Sequence, residues 1–428
     1  MGLDRGNETT TQLLTLLNVS ATKASKRKWV SDDAKPKEKL NKRRVILLDE
    51  PTVNIVPTQD DATAHEPEGA ELHPSAESSR KDGRADEDED EDEDVPQNSC
   101  MDSYEYHFGP KSSALSEPKW VAVDNKAWKS SRNKHGKLGS FVECLPDVEQ
   151  SETAPELSPV VLSRLQQPFA ERQAKLPQEL AALQTDLLTV LSSQRDLQLA
   201  GMPLENHQGI REAISLHFLN HISKRKRRRV LKNNERIAHA AKAGNPPPED
   251  VQDQGFTRPS VLVLLPFRSF ALRWISALTS HTPAPAFQVE NRSRFQTEYG
   301  LPPGAVDKLE SAEPGTYPKD HVEMFKGNVD DSFRVGVKIT RKSVKLFAEF
   351  YGCDLILASP LGLRMSIEKE KNADFLSSIE LLIVDQMDAL TMQNWEHVQF
   401  VFSHLNKLPK ESHDVDFSRI KPWYLDGR

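Results

Sequence analysis

The chain has 428 residues, of which 37% are hydrophobic and 28% charged, with 28 prolines and a net charge of −8. That leaves room for two or three domains but too little apolar surface for one core to run through all of them, so the core must be concentrated in one part. Cys100, Cys144 and Cys353 are too few and too scattered for a disulfide framework or a zinc site. No apolar stretch reaches the ~20 residues that span a bilayer, and Leu13-Leu14-Thr15-Leu16-Leu17 is too short for a signal-peptide core, so no membrane partner and a reducing intracellular compartment are expected.

Residues 1–155 are expected to be a disordered, basic and acidic low-complexity region. Lys26-Arg27-Lys28 and Lys42-Arg43-Arg44 are short clusters of the nuclear-import type, and Asp86 to Asp94 is an unbroken acidic run that reads as a solvated spacer or a contact for basic proteins. Between Met101 and Glu149 the aromatics Tyr104, Tyr106, Phe108, Trp120, Trp128 and Phe141 follow no helix or strand period, the pattern of a peptide that orders on a partner. Residues 156–255 read as a helical segment and a basic linker. Leu176, Leu180, Leu183 and Leu187 form one apolar stripe of a helix from Leu176 to about Leu199, and a second helix begins near Asn206 with Ile210, Ala213, Ile214, His217, Phe218, His221 and Ile222 on one side. His217 and His221 lie one turn apart with no third ligand in view, so they read as edges of a buried face rather than a metal pair. The basic run Lys224-Arg225-Lys226-Arg227-Arg228-Arg229 follows, suited either to gripping RNA phosphates or to serving as a nuclear address.

From Phe256 to the end, short apolar strands alternate with helices. The spacing predicts strands at Val261–Leu265, Phe333–Ile339, Leu355–Ala358 and Ile379–Val384, and helices at Phe270–Leu278, Ser343–Tyr351 and Met392 to about Leu405, with a Pro/Glu-rich stretch from Thr282 to Asp320. This is an α/β pattern, a parallel sheet with helices on both faces, and ligands of such sheets bind beyond the carboxyl ends of the strands. Three strands end in polar or proline-containing motifs: Pro266-Phe267-Arg268-Ser269-Phe270, Ser359-Pro360-Leu361-Gly362-Leu363-Arg364 and Asp385-Gln386-Met387-Asp388.

In this order the three motifs resemble the two RNA-contacting motifs and the Walker B motif of the first lobe of DEAD-box helicases. The resemblance implies that Arg268, Ser359, Gly362 and Arg364 contact RNA phosphate, and that Asp385, Gln386 and Asp388 form a degenerate Walker B. Gln386 has the size of the catalytic Glu but cannot take a proton. A Gly-rich loop closing with Gly-Lys-Ser/Thr occurs nowhere in the sequence, so no catalytic residue, no metal and no cofactor is expected. Asp385 has an equally plain alternative, that of holding a neighbouring backbone amide.

Longer phrases narrow the resemblance. Phe333-Arg334-Val335-Gly336-Val337-Lys338, Lys345-Leu346-Phe347-Ala348-Glu349-Phe350-Tyr351, Ser359 to Arg364, Asp374-Phe375-Leu376-Ser377-Ser378-Ile379-Glu380, Gln393-Asn394-Trp395-Glu396-His397-Val398 and Pro409-Lys410-Glu411-Ser412-His413 are similar to the digestive-organ-expansion-factor family, U3 small nucleolar RNA-associated, helicase-like proteins of the small-subunit processome. The similarity is strong from about Phe256 to Arg428 and looser over Asn206 to Ile222. It implies a DEAD-box-like RecA lobe over 256–428 in a nuclear, nucleolar ribonucleoprotein factor of ribosome biogenesis. The expected partners are pre-rRNA, U3 small nucleolar RNA and processome proteins, and the work is pre-rRNA processing toward small-subunit rRNA. That family continues past Arg428 into the rest of the first lobe and a second lobe, so the lobe here reads as truncated, with an unpaired sheet edge. An ATP-dependent RNA helicase and a nuclear protein-binding scaffold without RNA contact are the alternatives.

Overall fold

The elements of the computed structural model, in chain order, are β1 (Met101–Asp102), α1 (Ser103–Phe108), α2 (Glu117–Asp124), β2 (Trp128–His135), β3 (Gly139–Pro146), β4 (Leu157–Ser158), α3 (Ser163–Gln173), α4 (Gln178–Ser192), α5 (His207–Ser223) and α6 (Lys232–Lys242). There follow β5 (Val261–Leu264), α7 (Arg268–Thr279), β6 (Gln288–Glu290), α8 (Arg292–Tyr299), α9 (Lys319–Phe325), β7 (Arg334–Ile339), β8 (Ser343–Ala348), β9 (Leu355–Ala358), α10 (Pro360–Glu370), β10 (Leu381–Val384), α11 (Met387–Phe402) and α12 (Pro422–Leu425). The structure describes residues 101–109, 116–148, 157–158, 160–248, 251–281, 288–340, 342–413 and 415–425, with backbone alone for 101, 157–158 and 226–229. Of the region 1–155 expected to be disordered, residues 1–100, with both import-type clusters and the acidic run, lie outside the described residues, whereas 101–109 and 116–148 hold β1, α1, α2, β2 and β3.

The centre of the fold is β5. Its alternate residues point to opposite faces: Val261, Val263 and Leu265 join a core with α5, α7 and α8, while Leu262 and Leu264 join a second core with α10 and the end of α11. The expectation of helices on both faces is met. The sheet has six strands in the order β10-β5-β9-β7-β8-β6. Its β10-β5-β9 part is parallel, but β7 runs antiparallel to both β9 and β8, so the sheet is mixed rather than wholly parallel. The antiparallel part arises because the segment after β7, where the spacing predicted a helix over Ser343–Tyr351, turns back as strand β8. Val344 and Leu346 are fully buried while Ser343, Lys345 and Phe347 are partly exposed, an alternation of two that makes this segment a strand and not the expected helix. Thr340 and Ser343 close the β7–β8 turn, Thr340 N donating to Ser343 O at 2.8 Å and Ser343 N to Thr340 Oγ1 at 2.9 Å. Among the described residues β10 is paired on one side only.

The Pro/Glu-rich stretch contains β6 and α8, where Phe295 and Tyr299 are buried and stacked at 4.3 Å. The helix expected from Met392 begins at Met387 and is interrupted at Asn394 (φ −158°, ψ 102°), whose Oδ1 accepts from Glu396 N and caps the second half. The aromatic segment after Met101 also departs from expectation, because its partner is the chain itself. Tyr104 is 3% exposed, and Tyr104 and Phe108 meet the edge of His221 on α5 at 5.2 and 4.8 Å.

His281, fully buried after α7, bonds Glu212 O through Nε2 at 2.8 Å while its Nδ1 has no partner. Burial pushes its pKa down to about 4, the Glu212 carbonyl pulling back only in part. A folded value below the unfolded one means that the unfolded chain takes up the proton first, so stability is full above about pH 6.5 and falls as the pH drops toward 4. Between pH 7 and 5 this residue alone is expected to cost about 2 kcal/mol. A urea midpoint that falls over this range in the parent, and falls less in His281→Gln, checks the assignment.

Candidate functional site

The carboxyl end of β10 places Asp385 at the point where the strand stops, its backbone N–H donating to Leu264 O at 3.1 Å. Gln386 then takes a left-handed conformation (φ 55°) that turns the chain into α11. Both oxygens of the Asp385 carboxylate are hydrogen-bonded. Oδ2 accepts from Trp274 Nε1 at 2.7 Å and from Arg211 Nε at 3.4 Å, and Oδ1 accepts from the Gln386 amide at 2.9 Å. Trp274 belongs to α7 and Arg211 to α5, and both are buried, so the carboxylate ties the sheet to two helices. Asp388 stands apart, exposed in the first turn of α11, where its charge complements the helix N-terminus.

Beside Arg211 is an open cavity of about 430 Å³ between α5, α7 and α9. Its walls carry cations, but Glu323 engages two of them: Arg273 Nη1 and Lys326 Nζ each lie 2.9 Å from its carboxylate. Burial would raise the Glu323 pKa, yet Lys326 and Arg273 hold it below its ordinary value. Among the described residues no group of three His, Cys, Asp or Glu side chains is placed to hold a metal ion.

The two other strand ends are also engaged within the protein. Arg268 donates to Glu298 O at 2.9 Å and Ser332 O at 3.0 Å and stands over the Tyr299 ring at 5.4 Å, so it staples the end of α8 to the segment entering β7. Ser359 is buried; its hydroxyl caps α10 by accepting from Gly362 N at 2.9 Å and donates to Asp331 O. A Cβ on Gly362 would sit 2.2 Å from Phe333 O, so glycine is what allows α10 to lie against the backbone leading into β7. Gly362→Ala is expected to lower stability by about 2–3 kcal/mol, since only backbone could yield; an unchanged melting temperature would refute that close approach. Arg364 is partly exposed, pairing with Glu368 at 2.8 Å and His397 at 3.1 Å above the Phe400 ring.

All three strand ends are thus tied into the fold by their own polar residues. Residues 194–428, more than half of the chain, match a family model described as UTP25, NTP hydrolase-like domain. The chain belongs to that family. The relatives it matches carry the name U3 small nucleolar RNA-associated protein 25, in agreement with the resemblance read from the motifs. The one from Arthroderma benhamiae is 40% identical over 94% of this chain and 55% of its own length. Those from Schizosaccharomyces pombe and Schizosaccharomyces japonicus are 39% and 43% identical over 77% and 57% of this chain, and over 49% and 36% of their own lengths. The chain spans about half the length of the curated relatives it matches. No solved structure matches it.

Within this UTP25-family domain the basic run is not the uniformly exposed patch that its composition suggests. Lys224–Leu231 continues α5 as a wide π-type turn. Lys224 is 2% exposed and its Nζ lies 2.6 Å from Asp102, while Arg225 is buried, donating to Arg258 O at 2.7 Å. Lys226, Arg227, Arg228 and Arg229 have no described side chains. Arg225 also faces an interior cluster that sequence reasoning missed. Glu380, just before β10, accepts from Lys421 Nζ (2.7 Å), Tyr424 Oη (2.8 Å) and His221 Nε2 (2.7 Å), with Arg225 Nε at 3.7 Å. Burial alone would raise the Glu380 pKa, but Lys421 and Arg225 hold it well below the usual carboxylate range. Burial lowers that of His221, so the imidazole is neutral and donates. The available signal was weak: the polar residues Arg211 and His221 sat among the apolar positions of α5, with nothing in the spacing to name Glu380, Trp274 or Asp385 as their partners.

Proposed function

We propose that this chain is a noncatalytic nucleolar factor of ribosome biogenesis, acting in pre-rRNA processing toward the small subunit within the U3-containing processome. The name that the relatives carry supports the assembly, and the state of Asp385 supports the absence of turnover. In a P-loop ATPase the strand-end aspartate gives its carboxylate to the shell of Mg²⁺ and a neighbouring acid handles the attacking water. Here both carboxylate oxygens are engaged by Trp274, Arg211 and Gln386, and Gln386 has no basic oxygen to take a proton. The lobe then serves as a shaped body that holds RNA or protein in place.

Of the residues that the helicase resemblance and the basic run put on RNA, Arg364 and residues 226–229 remain the contacts we propose. Arg268, Ser359, Gly362, Lys224 and Arg225 work inside the fold. Their internal engagement favours a second reading, a protein-binding scaffold that reaches RNA only through partners. Crosslinking of the tagged chain in cells, followed by sequencing of the attached RNA, separates the two. Enrichment of U3 and small-subunit precursor RNA is expected. A folded, nuclear protein that recovers no RNA above a control would overturn the first reading in favour of the second.

A further inference from the structure

We infer that the outward face of the β2–β3 hairpin is a binding surface for single-stranded RNA. This rests on the reading above that the chain contacts RNA, and it adds a contact outside the helicase-like lobe. The antiparallel register pairs Trp128 with Pro146, Ser130 with Cys144, Arg132 with Val142 and Lys134 with Ser140. Directly paired residues share a face, so these eight form one side of the ribbon. The other side carries Lys129, Ser131, Asn133 and His135 opposite Leu145, Glu143, Phe141 and Gly139.

The two sides have different fates. The loop and the inner-side residues nearest it are held to α4 and the chain beyond it, while Lys129, Ser131, Asn133 and Leu145 of that side stay exposed: Lys137 N and Nζ bond Asp186 and Glu179 at 2.5 and 3.2 Å, Glu143 pairs with Arg195, and Leu138 packs with the leucines of α4. The loop needs glycine to make this contact, since Gly136 and Gly139 have φ of +40° and +82° and a Cβ on Gly136 would strike Asp186. The outer side is left to solvent. Trp128 is 49% and Val142 59% exposed, and Ser130, Arg132, Lys134, Ser140 and Cys144 are exposed as well. Neither Arg132 nor Lys134 makes an ion pair among the described residues, and Glu143, the hairpin's one carboxylate, is on the inner side.

The outer side thus offers a rigid aromatic platform at one end, two unpaired cations two residues apart, and hydroxyls between them, with no acid to repel a phosphate. Base stacking on an exposed aromatic ring beside cations that follow the backbone is how single strands are held without regard to sequence. A duplex fits less well, because the A-form major groove is too deep and narrow for side chains to read. A protein partner would be met by a more apolar ribbon than one bearing Arg132 and Lys134.

The test uses the full chain and a labelled oligouridine, with binding followed by fluorescence anisotropy over a range of salt. Arg132→Glu/Lys134→Glu is expected to weaken binding at least tenfold and to flatten the log–log salt dependence by about 1.4, the share of two phosphate contacts on a single strand. Trp128→Ala is expected to weaken binding about tenfold with the salt slope unchanged, as loss of stacking requires. Both variants change exposed side chains, so their melting temperatures should equal that of the parent. Parent-like affinity and salt slope in both variants, with the parent binding, would overturn the hairpin site and leave direct RNA contact standing. A parent chain that fails to bind the oligonucleotide would overturn direct contact itself.

Discussion

Glu380→Gln is expected to lower the unfolding free energy by about 3–5 kcal/mol, the cost of leaving buried charge without its counter-charge. The amide keeps the shape of the side chain but removes the one carboxylate that Lys421, Arg225, Tyr424 and His221 surround. Lys421 is 1% exposed, between the rings of Phe108 and Trp423, and has no route to water. Because the folded Glu380 pKa lies below the unfolded one, its contribution is complete above the ordinary carboxylate range and is lost as the pH falls through the folded value. The difference in urea midpoint between Glu380→Gln and the parent should therefore be large at pH 7 and shrink in acid. Equal midpoints at pH 7 would show that the cluster contributes nothing.

Asp385→Ala is expected to cost a similar amount, about 3–5 kcal/mol, for the same reason at the other end of β10. The change strands the buried Arg211 guanidinium, whose Nη2 already lacks a partner, and the Trp274 indole N–H. Asp385→Asn should cost less, since an amide oxygen can still accept from Trp274. A residue kept only for metal chemistry would behave oppositely, tolerating alanine with no loss of stability. Denaturation curves of the two variants beside the parent distinguish these roles.

Much of the lobe was legible because its central strands are runs of buried residues with one outcome. Val261–Leu264, between Ser260 and Leu265-Pro266, and Leu355–Ala358, between Asp354 and Ser359, are continuous apolar stretches, and both are fully buried strands. Ser343–Ala348 was not legible as a strand, since Leu346 and Phe347 adjoin Phe350 and Tyr351 and imitate a helical stripe; pairing with β7 and β6 decides the matter. Side-chain roles were harder still. Arg268 at a strand end, or Lys224 in a run of six basic residues, carries the same letters whether it faces RNA or a buried carbonyl. Asp102 lies 122 residues from Lys224 in sequence, and Asp385 lies 174 from Arg211. Partners so distant leave no periodic trace, so the distinction between an exposed basic patch and an interior ion pair appears only once the chain is folded. The β2–β3 hairpin was missed for a related reason: its aromatic and basic residues are divided between its two sides, and neither side is apolar enough to announce a strand.

The noncatalytic reading stands or falls most directly on calorimetric titration of the chain with MgATP, run beside a phosphate-release assay with and without single-stranded RNA. With the Asp385 carboxylate held by Trp274, Arg211 and Gln386, the expected result is no saturable heat of binding and no release above a buffer control. Saturable MgATP binding or phosphate release that disappears in Asp385→Asn, in a variant whose melting temperature matches the parent, would contradict it and make Asp385 a metal-side acid.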